Sequence, residues 1–244
     1  MRITRHDMIA ARAVLDLATD SDDSTVPELL HDLTARVITL LTVRAAGVTV
    51  LDEAGQLGHL TASDDICRQL EEDQLELGEG PGVDSTRTGT VLAPVTLHHS
   101  GPTFQRWPRF VPRALRAGVT CVAAVPLRTR RRTCGALDLM SAAPIPTRQD
   151  MCLARMLADA AGLRLDRRQV LLAKDEVIAQ LRTALETRIV IEQAKGVLAE
   201  RLGTDVEEAF ARLRRHARSR RNRLSDLAAL VAQGLVPAGL DASP

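Results

Sequence analysis

Aromatic side chains are nearly missing from this chain, whose 244 residues hold one tryptophan, three phenylalanines and no tyrosine. Phe210 is the only aromatic beyond Phe110, and its apolar spacing predicts burial, so aromatic stacking has little to work with in the C-terminal half. Long apolar runs are missing too. No stretch of about twenty apolar residues occurs, which excludes a membrane-spanning helix of ordinary length. The N-terminal run MRITRHDMIA scatters its charges and lacks the layout of a secretory leader. Cys67, Cys121, Cys134 and Cys152 are widely spaced with no CxxC pair, so buried, reduced thiols in a cytoplasmic protein are expected.

Motifs of catalysis are absent as well. There is no GxSxG, no HExxH and no phosphate-binding glycine loop with lysine, and GEGPG at 78–82 reads as a turn because no lysine follows to reach a phosphate. His98 and His99 are adjacent, a spacing that points two side chains apart in a strand or helix and does not chelate one metal easily. No enzyme activity, cofactor or metal is expected.

What is present is a packable chain with one unusual end. Hydrophobic residues make up 45%, ample for one or two cores, and the net charge of +1 averages an acidic middle with a basic tail. Between residues 212 and 223 stand seven arginines, at 212, 214, 215, 218, 220, 221 and 223, with no acid among them. Solvated helix faces usually mix signs, whereas clustered guanidinium groups suit the oxygens of a polyanion.

Local signals place helices around this cluster. Ile189, Val190, Ala194, Val197, Leu198 and Leu202 make one apolar stripe, ended by Gly203. Thr204 with Glu207 predicts a capping box that starts the next helix, which buries Val206, Ala209, Phe210, Leu213 and Ala217. Arg214, Arg218 and Arg221 then share a solvent-facing stripe, and Ser219 and Asn222 mark the helix end. A third helix carries Leu224, Leu227, Ala228, Leu230 and Val231 and stops at Gly234.

Gln193-Ala194-Lys195-Gly196, Glu208-Ala209-Phe210, Leu213-Arg214 and Asn222-Arg223-Leu224 together resemble the ANTAR domain over about residues 181–234. That family comprises three-helix modules that bind RNA as dimers on paired stem-loops and act in transcription antitermination. The arginine cluster puts Arg214, Arg215, Arg218, Arg221 and Arg223 on phosphates and loop bases, and the resemblance implies further RNA contacts from Lys195 and Asn222. The expected partners are RNA stem-loops in nascent transcripts and a second copy of the chain, with no membrane.

Upstream the apolar period changes. An amphipathic helix with Met8, Ile9, Ala13, Leu15 and Leu17 leads into an Asp/Ser-rich linker at 19–24, and Thr25, Pro27 and Glu28 start a helix to about Val43. Residues 46–51 and 57–62 read as a hairpin, 91–95 as a short strand, 107–117 as a helix, and 119–127 with 134–140 as the strongest strand pair. Strands interleaved with helices predict an α+β fold. Leu77-Gly78-Glu79-Gly80-Pro81-Gly82-Val83, Arg106-Trp107-Pro108, Val125-Pro126-Leu127 and Gly135-Ala136-Leu137-Asp138-Leu139 resemble the GAF domains, sensory folds with an antiparallel sheet, helices on one side and a small-molecule cup on the other. Gly82 departs from the many relatives that carry cysteine there, which removes a thiol response from that position. Trp107 is expected in the core rather than walling a pocket.

From 147 to 202 there is no proline, which predicts one long helix. Leu171, Ile178 and Leu185, with Leu181 between, suit a short coiled-coil seam, although Lys174 and Arg188 take alternate seam positions. The acids Glu71, Glu72, Asp73, Glu76 and Glu79 read as a solvated helix end, or else as a clasp on the basic tail. The expected layout is an N-terminal helix and linker (1–24), a GAF sandwich (25–164), a connecting helix (165–180), a three-helix ANTAR bundle (181–236) and a disordered tail (237–244). The expected function is a cytoplasmic antiterminator under control of an unknown small-molecule or protein signal. Two alternatives stay open. One is a helical DNA-binding regulator. The other is a thiol reductase using Cys121 and Cys134, since some GAF-fold proteins reduce methionine sulfoxide.

Overall fold

The strands β1 (Ala45–Leu51), β2 (Leu57–Ala62), β3 (Leu92–Thr96), β4 (Cys121–Arg128) and β5 (Thr133–Ser141) form one antiparallel sheet in the order β2-β1-β5-β4-β3. The computed structural model describes residues 4–19 and 24–240, so most of the expected linker at 19–24 lies outside the described residues. The chain divides into two compact units, 1–170 and 171–244.

In the first unit, β1, β4 and β5 are apolar almost without interruption because both of their faces are covered. Ala46, Val48 and Val50 share one face with Ala123, Val125, Leu127, Leu137 and Leu139. That face meets α1 (Arg5–Thr19), α2 (Val26–Leu40) and the start of α7 (Arg148–Leu202) through Leu17, Leu30, Leu33 and Leu157. Fully burying one such leucine is worth about 1.5–3 kcal/mol, so Leu17 alone goes far to hold α1 in place. The other face carries Ala45, Val122 and Met140 beneath α3 (Asp65–Leu77) and α6 (Phe110–Arg116). Between them, α4 (Pro81–Thr88) packs on β4 and β5. The fold is α+β as expected, but helices cover both faces of the sheet, where the family resemblance implied one.

Several local expectations need correction. GEGPG is more than a turn, because Gly78 ends α3 in the left-handed conformation and Pro81 opens α4, a position where its missing N–H costs nothing. The helix expected at 107–117 is shorter, α6 starting only at Phe110 behind a separate α5 (Pro102–Arg106), since Pro108 bars Trp107 from helical geometry. Trp107 itself is core, 1% exposed and edge-on to Phe110 with ring centroids 6.2 Å apart. The capping box at Thr25 forms as expected: Thr25 N–H donates to Glu28 Oε2 at 2.7 Å and Glu28 N–H to the hydroxyl at 3.4 Å.

The second unit packs the end of α7 against α8 (Val206–Ser219) and α9 (Leu224–Ala232). Its core is small, built on Ala194, Leu198, Ala209, Leu213, Ala217, Leu227, Ala228 and Val231. Leu240 joins it at 2% exposure, although Ala238 and Gly239 before it are exposed, and 241–244 lie outside the described residues.

Candidate nucleic-acid interface

The arginine cluster is built by α8 and the turn after it. Asp205, not Thr204, caps α8, its carboxylate accepting from Glu208 N–H at 2.7 Å. An acid one residue later takes the N–H of Glu208 in place of that of Glu207 and suits the positive helix end. Ala209, Leu213 and Ala217 face the core, leaving Arg214, Arg215 and Arg218 exposed on the helix and Arg220, Arg221, Asn222 and Arg223 exposed in the turn. Val206 is exposed, contrary to expectation. Arg212 pairs with Glu208 at 3.2 Å, whereas among the described residues none of the other six arginines forms an ion pair with a carboxylate.

Arg221 does not continue a helical stripe with Arg214 and Arg218, because α8 ends at Ser219. All three helix ends of this unit close in the same way, with an N–H reaching back five residues over a left-handed residue. Thr204 N–H reaches Ala199 O at 3.0 Å across Gly203 (φ 61°), and Leu235 N–H reaches Leu230 O at 2.9 Å across Gly234 (φ 83°). Asn222 N–H reaches Ala217 O at 2.9 Å, and the residue in the left-handed position is Arg221, at φ 53°. A side chain there costs about 1 kcal/mol that glycine avoids.

Lys195 lies apart from the turn. Its Nζ is 3.0 Å from Glu192 and 5.1 Å from the Phe210 ring centroid, with the side chain 11% exposed. Arg214 also lies over that ring, at 5.6 Å. Phe210 is only half-buried, so the expectation that its spacing buries it is corrected: two cations share its ring instead.

In the first unit, the acids of α3 are not a solvated end. Glu71 and Asp73 are buried, Asp73 and Glu76 pair with Arg113, and Glu79 holds Arg109 at 2.7 Å. These partners belong to the same unit, and only Glu72 and Glu76 are exposed enough to reach a tail. Cys121 pairs in register with Ser141, whereas Cys134 sits at the far end of the hairpin beside Leu127 and Gly135, so the two thiols do not face each other. Burial pushes both thiols up, which disfavours the reactive thiolate. Cys152 is exposed, not buried as expected. His98 and His99 are exposed, and no metal-capable cluster of His, Cys, Asp and Glu occurs among the described residues. No described helix is long and apolar enough to cross a membrane.

A sheet of this order flanked by helices, followed by a three-helix unit with an arginine-lined turn, defines an α+β domain joined to a small helical module. Residues 25–165 match the GAF domain and residues 179–231 the ANTAR domain, so the chain belongs to the GAF family and carries a C-terminal ANTAR domain. Among solved structures it is similar to a GAF domain/HD domain protein from Geobacter sulfurreducens, at 19% identity, covering 64% of this chain and 98% of that one with a TM-score of 0.44. It is also similar to the GAF domain of a phosphoenolpyruvate-protein phosphotransferase from Acinetobacter, at 13% identity, 68% and 96% coverage and a TM-score of 0.47. Among curated proteins there is no match.

Proposed function

We propose that this protein is a cytoplasmic transcription antiterminator, in which a signal received by the GAF domain controls the grip of the ANTAR domain on RNA stem-loops in nascent transcripts. The observation that carries the reading is Arg221. A left-handed backbone position that glycine fills at the other two helix ends is given to an arginine in a turn of exposed arginines. Strain kept at one site and avoided at its equivalents marks a functional demand. Arg214, Arg215, Arg218, Arg221 and Arg223 are assigned to phosphates and splayed loop bases, with Asn222 offering hydrogen bonds beside them. Lys195 acts as a positioning residue, holding Phe210 and through it Arg214.

The second copy is assigned to α7. Leu171, Ile178, Leu181 and Leu185 stand exposed on one stripe, Leu181 at 65% and Leu185 at 60%, although each is a residue type that favours burial. A homodimer seam would cover them.

Binding of an RNA tandem hairpin, with competition by duplex DNA at equal salt, tests the reading. If about five phosphates are contacted, log K should fall against log salt with a slope near about −3.5, at about −0.7 per contact. The doubly substituted R214A/R218A protein should bind at least about tenfold more weakly. Equal binding by that variant, or preference for duplex DNA, would overturn it.

A further inference from the structure

The buried acids of the GAF domain form a network with no obvious structural use. Glu71 of α3 and Asp138 of β5 are 2% and 1% exposed, and Gln74 lies between them. Gln74 Nε2 donates to Asp138 Oδ2 at 2.9 Å and to Glu71 Oε2 at 3.4 Å, its Oε1 accepts from Gly82 N–H at 2.8 Å, and Thr49 Oγ1 donates to Glu71 Oε2 at 3.2 Å. Glu71 Oε1 and Asp138 Oδ1 have no partner among these groups. A Cβ at Gly47 would overlap Glu71, one at Gly80 would overlap Gln74, and one at Gly82 would overlap Asp138. Three glycines thus make room for three polar side chains. Glycine at 82 is required by Asp138 rather than being a mere loss of cysteine.

No cation balances this pair. Cys67, the other titratable group packed against it on α3, is neutral, its thiol pushed up by burial and then by Glu71. On α4, Arg87 turns to Asp84 with its side chain 67% exposed, and Asp84 is further committed to Arg106 at 2.7 Å and to Trp107 Nε1 at 3.0 Å. Burial, and then the charge of Asp138, push the Glu71 carboxyl well above its usual range, so the pair favours keeping one proton. Next to the pair lies a cavity of about 300 Å³ walled by β1, α3 and α4; Thr49, Glu71, Gln74, Thr86 and Arg87 supply its polar lining, with the Arg87 charge committed to Asp84, while Leu51, Leu75 and Val83 supply apolar surface.

We propose that this cavity binds a small organic cation, an ammonium or amidinium group on an apolar body, whose charge is met by the buried carboxyls of Glu71 and Asp138. The inference rests on the reading of the GAF domain as a small-molecule receiver. The ligand's cationic group donates to Glu71, the proton leaves to solvent, and the apolar body lies on Leu51, Leu75 and Val83. An anion meets two acids, and a neutral body brings no charge to take the place of the proton. Trp107 reports the event, because its indole N–H is held by Asp84 of α4, the helix that walls the cavity.

The test uses the full chain with two matched sets of probes: benzamidine, benzyl alcohol and benzoate, and cyclohexylammonium, cyclohexanol and cyclohexanecarboxylate. Binding is followed by the fluorescence of the single tryptophan and by proton release in weak buffer. Benzamidine or cyclohexylammonium should bind at least about tenfold more tightly than its neutral and anionic counterparts, a discrimination of the size one paired charge gives. Their affinity should rise between about pH 5 and about pH 8, with protons released on binding. E71Q, whose amide can still donate to Asp138, should weaken the cations about tenfold and abolish the release. Preference for alcohol or carboxylate, or cation binding indifferent to both pH and E71Q, overturns the proposal while leaving the receiver reading intact. If no probe binds, the proposal also falls. The receiver reading falls with it only if native mass spectrometry of the full chain purified from cells shows no bound small molecule.

Discussion

The backbone N–H of Asn222 donates to the carbonyl of Ala217 at 2.9 Å, and the closure puts Arg221 into the left-handed region. Arg221→Gly should therefore stabilise the ANTAR unit by about 1 kcal/mol while weakening RNA hairpins about tenfold. Thermal melting and hairpin titration on the same preparation read the two effects. A variant that gains stability and loses no affinity would remove Arg221 from the interface.

Stability of the GAF unit should depend on pH through its buried acids. Burial, and then the charge of Asp138, raises Glu71 well above the usual range, while burial pushes Asp138 up to about 7 against hydrogen bonds from Gln74 and Glu71. The folded state then binds a proton that the unfolded chain releases near pH 4, so stability is complete in acid and falls as pH rises toward about 7 and beyond. Denaturant unfolding followed by Trp107 should show this loss between about pH 5 and about pH 8, and E71Q should flatten it and be the more stable protein at the alkaline end. Parallel slopes for the two proteins would assign the pH dependence elsewhere.

Two glycines make opposite forecasts. Gly82→Ala drives a methyl into Asp138 and should cost about 1–3 kcal/mol. Gly196→Ala, inside α7 with nothing within 4 Å of the added carbon, should gain close to about 1 kcal/mol. Melting curves of both variants settle whether crowding at the acid network is real.

Substituting the α7 stripe should change assembly and not folding. Leu181 and Leu185 are mostly exposed within one chain, so Leu181→Arg with Leu185→Arg should leave helicity within about 0.5 kcal/mol of the parent. Sedimentation should show the parent as a dimer and the variant as a monomer, with tandem-hairpin affinity lost in step. An unchanged sedimentation coefficient would place any dimer contact off this seam.

Much of the architecture was legible in local pattern. Continuous apolar runs marked β1, β4 and β5, Thr25 with Glu28 marked the start of α2, and the lack of proline marked α7. Errors gathered where one local signal was weighed against another nearby. Thr204 and Asp205 both suit a helix cap, and the carboxylate took it. GEGPG has the look of a turn, yet Pro81 begins a helix. Phe210 has core spacing, yet it is only partly buried, and Lys195 and Arg214 lie over its ring.

The chain alone determined where helices and strands form and where positive charge is concentrated, since period, caps and composition act over a few residues. It also carried the GAF and ANTAR motifs. Only the tertiary structure decided which acids are solvated and which are sealed. Glu71 and Asp138 lie far apart in the chain, and Gln74 bridges them only because a helix, a strand and three glycine backbones close on one place. The same holds for Arg221, whose backbone geometry depends on where α8 stops against its neighbours.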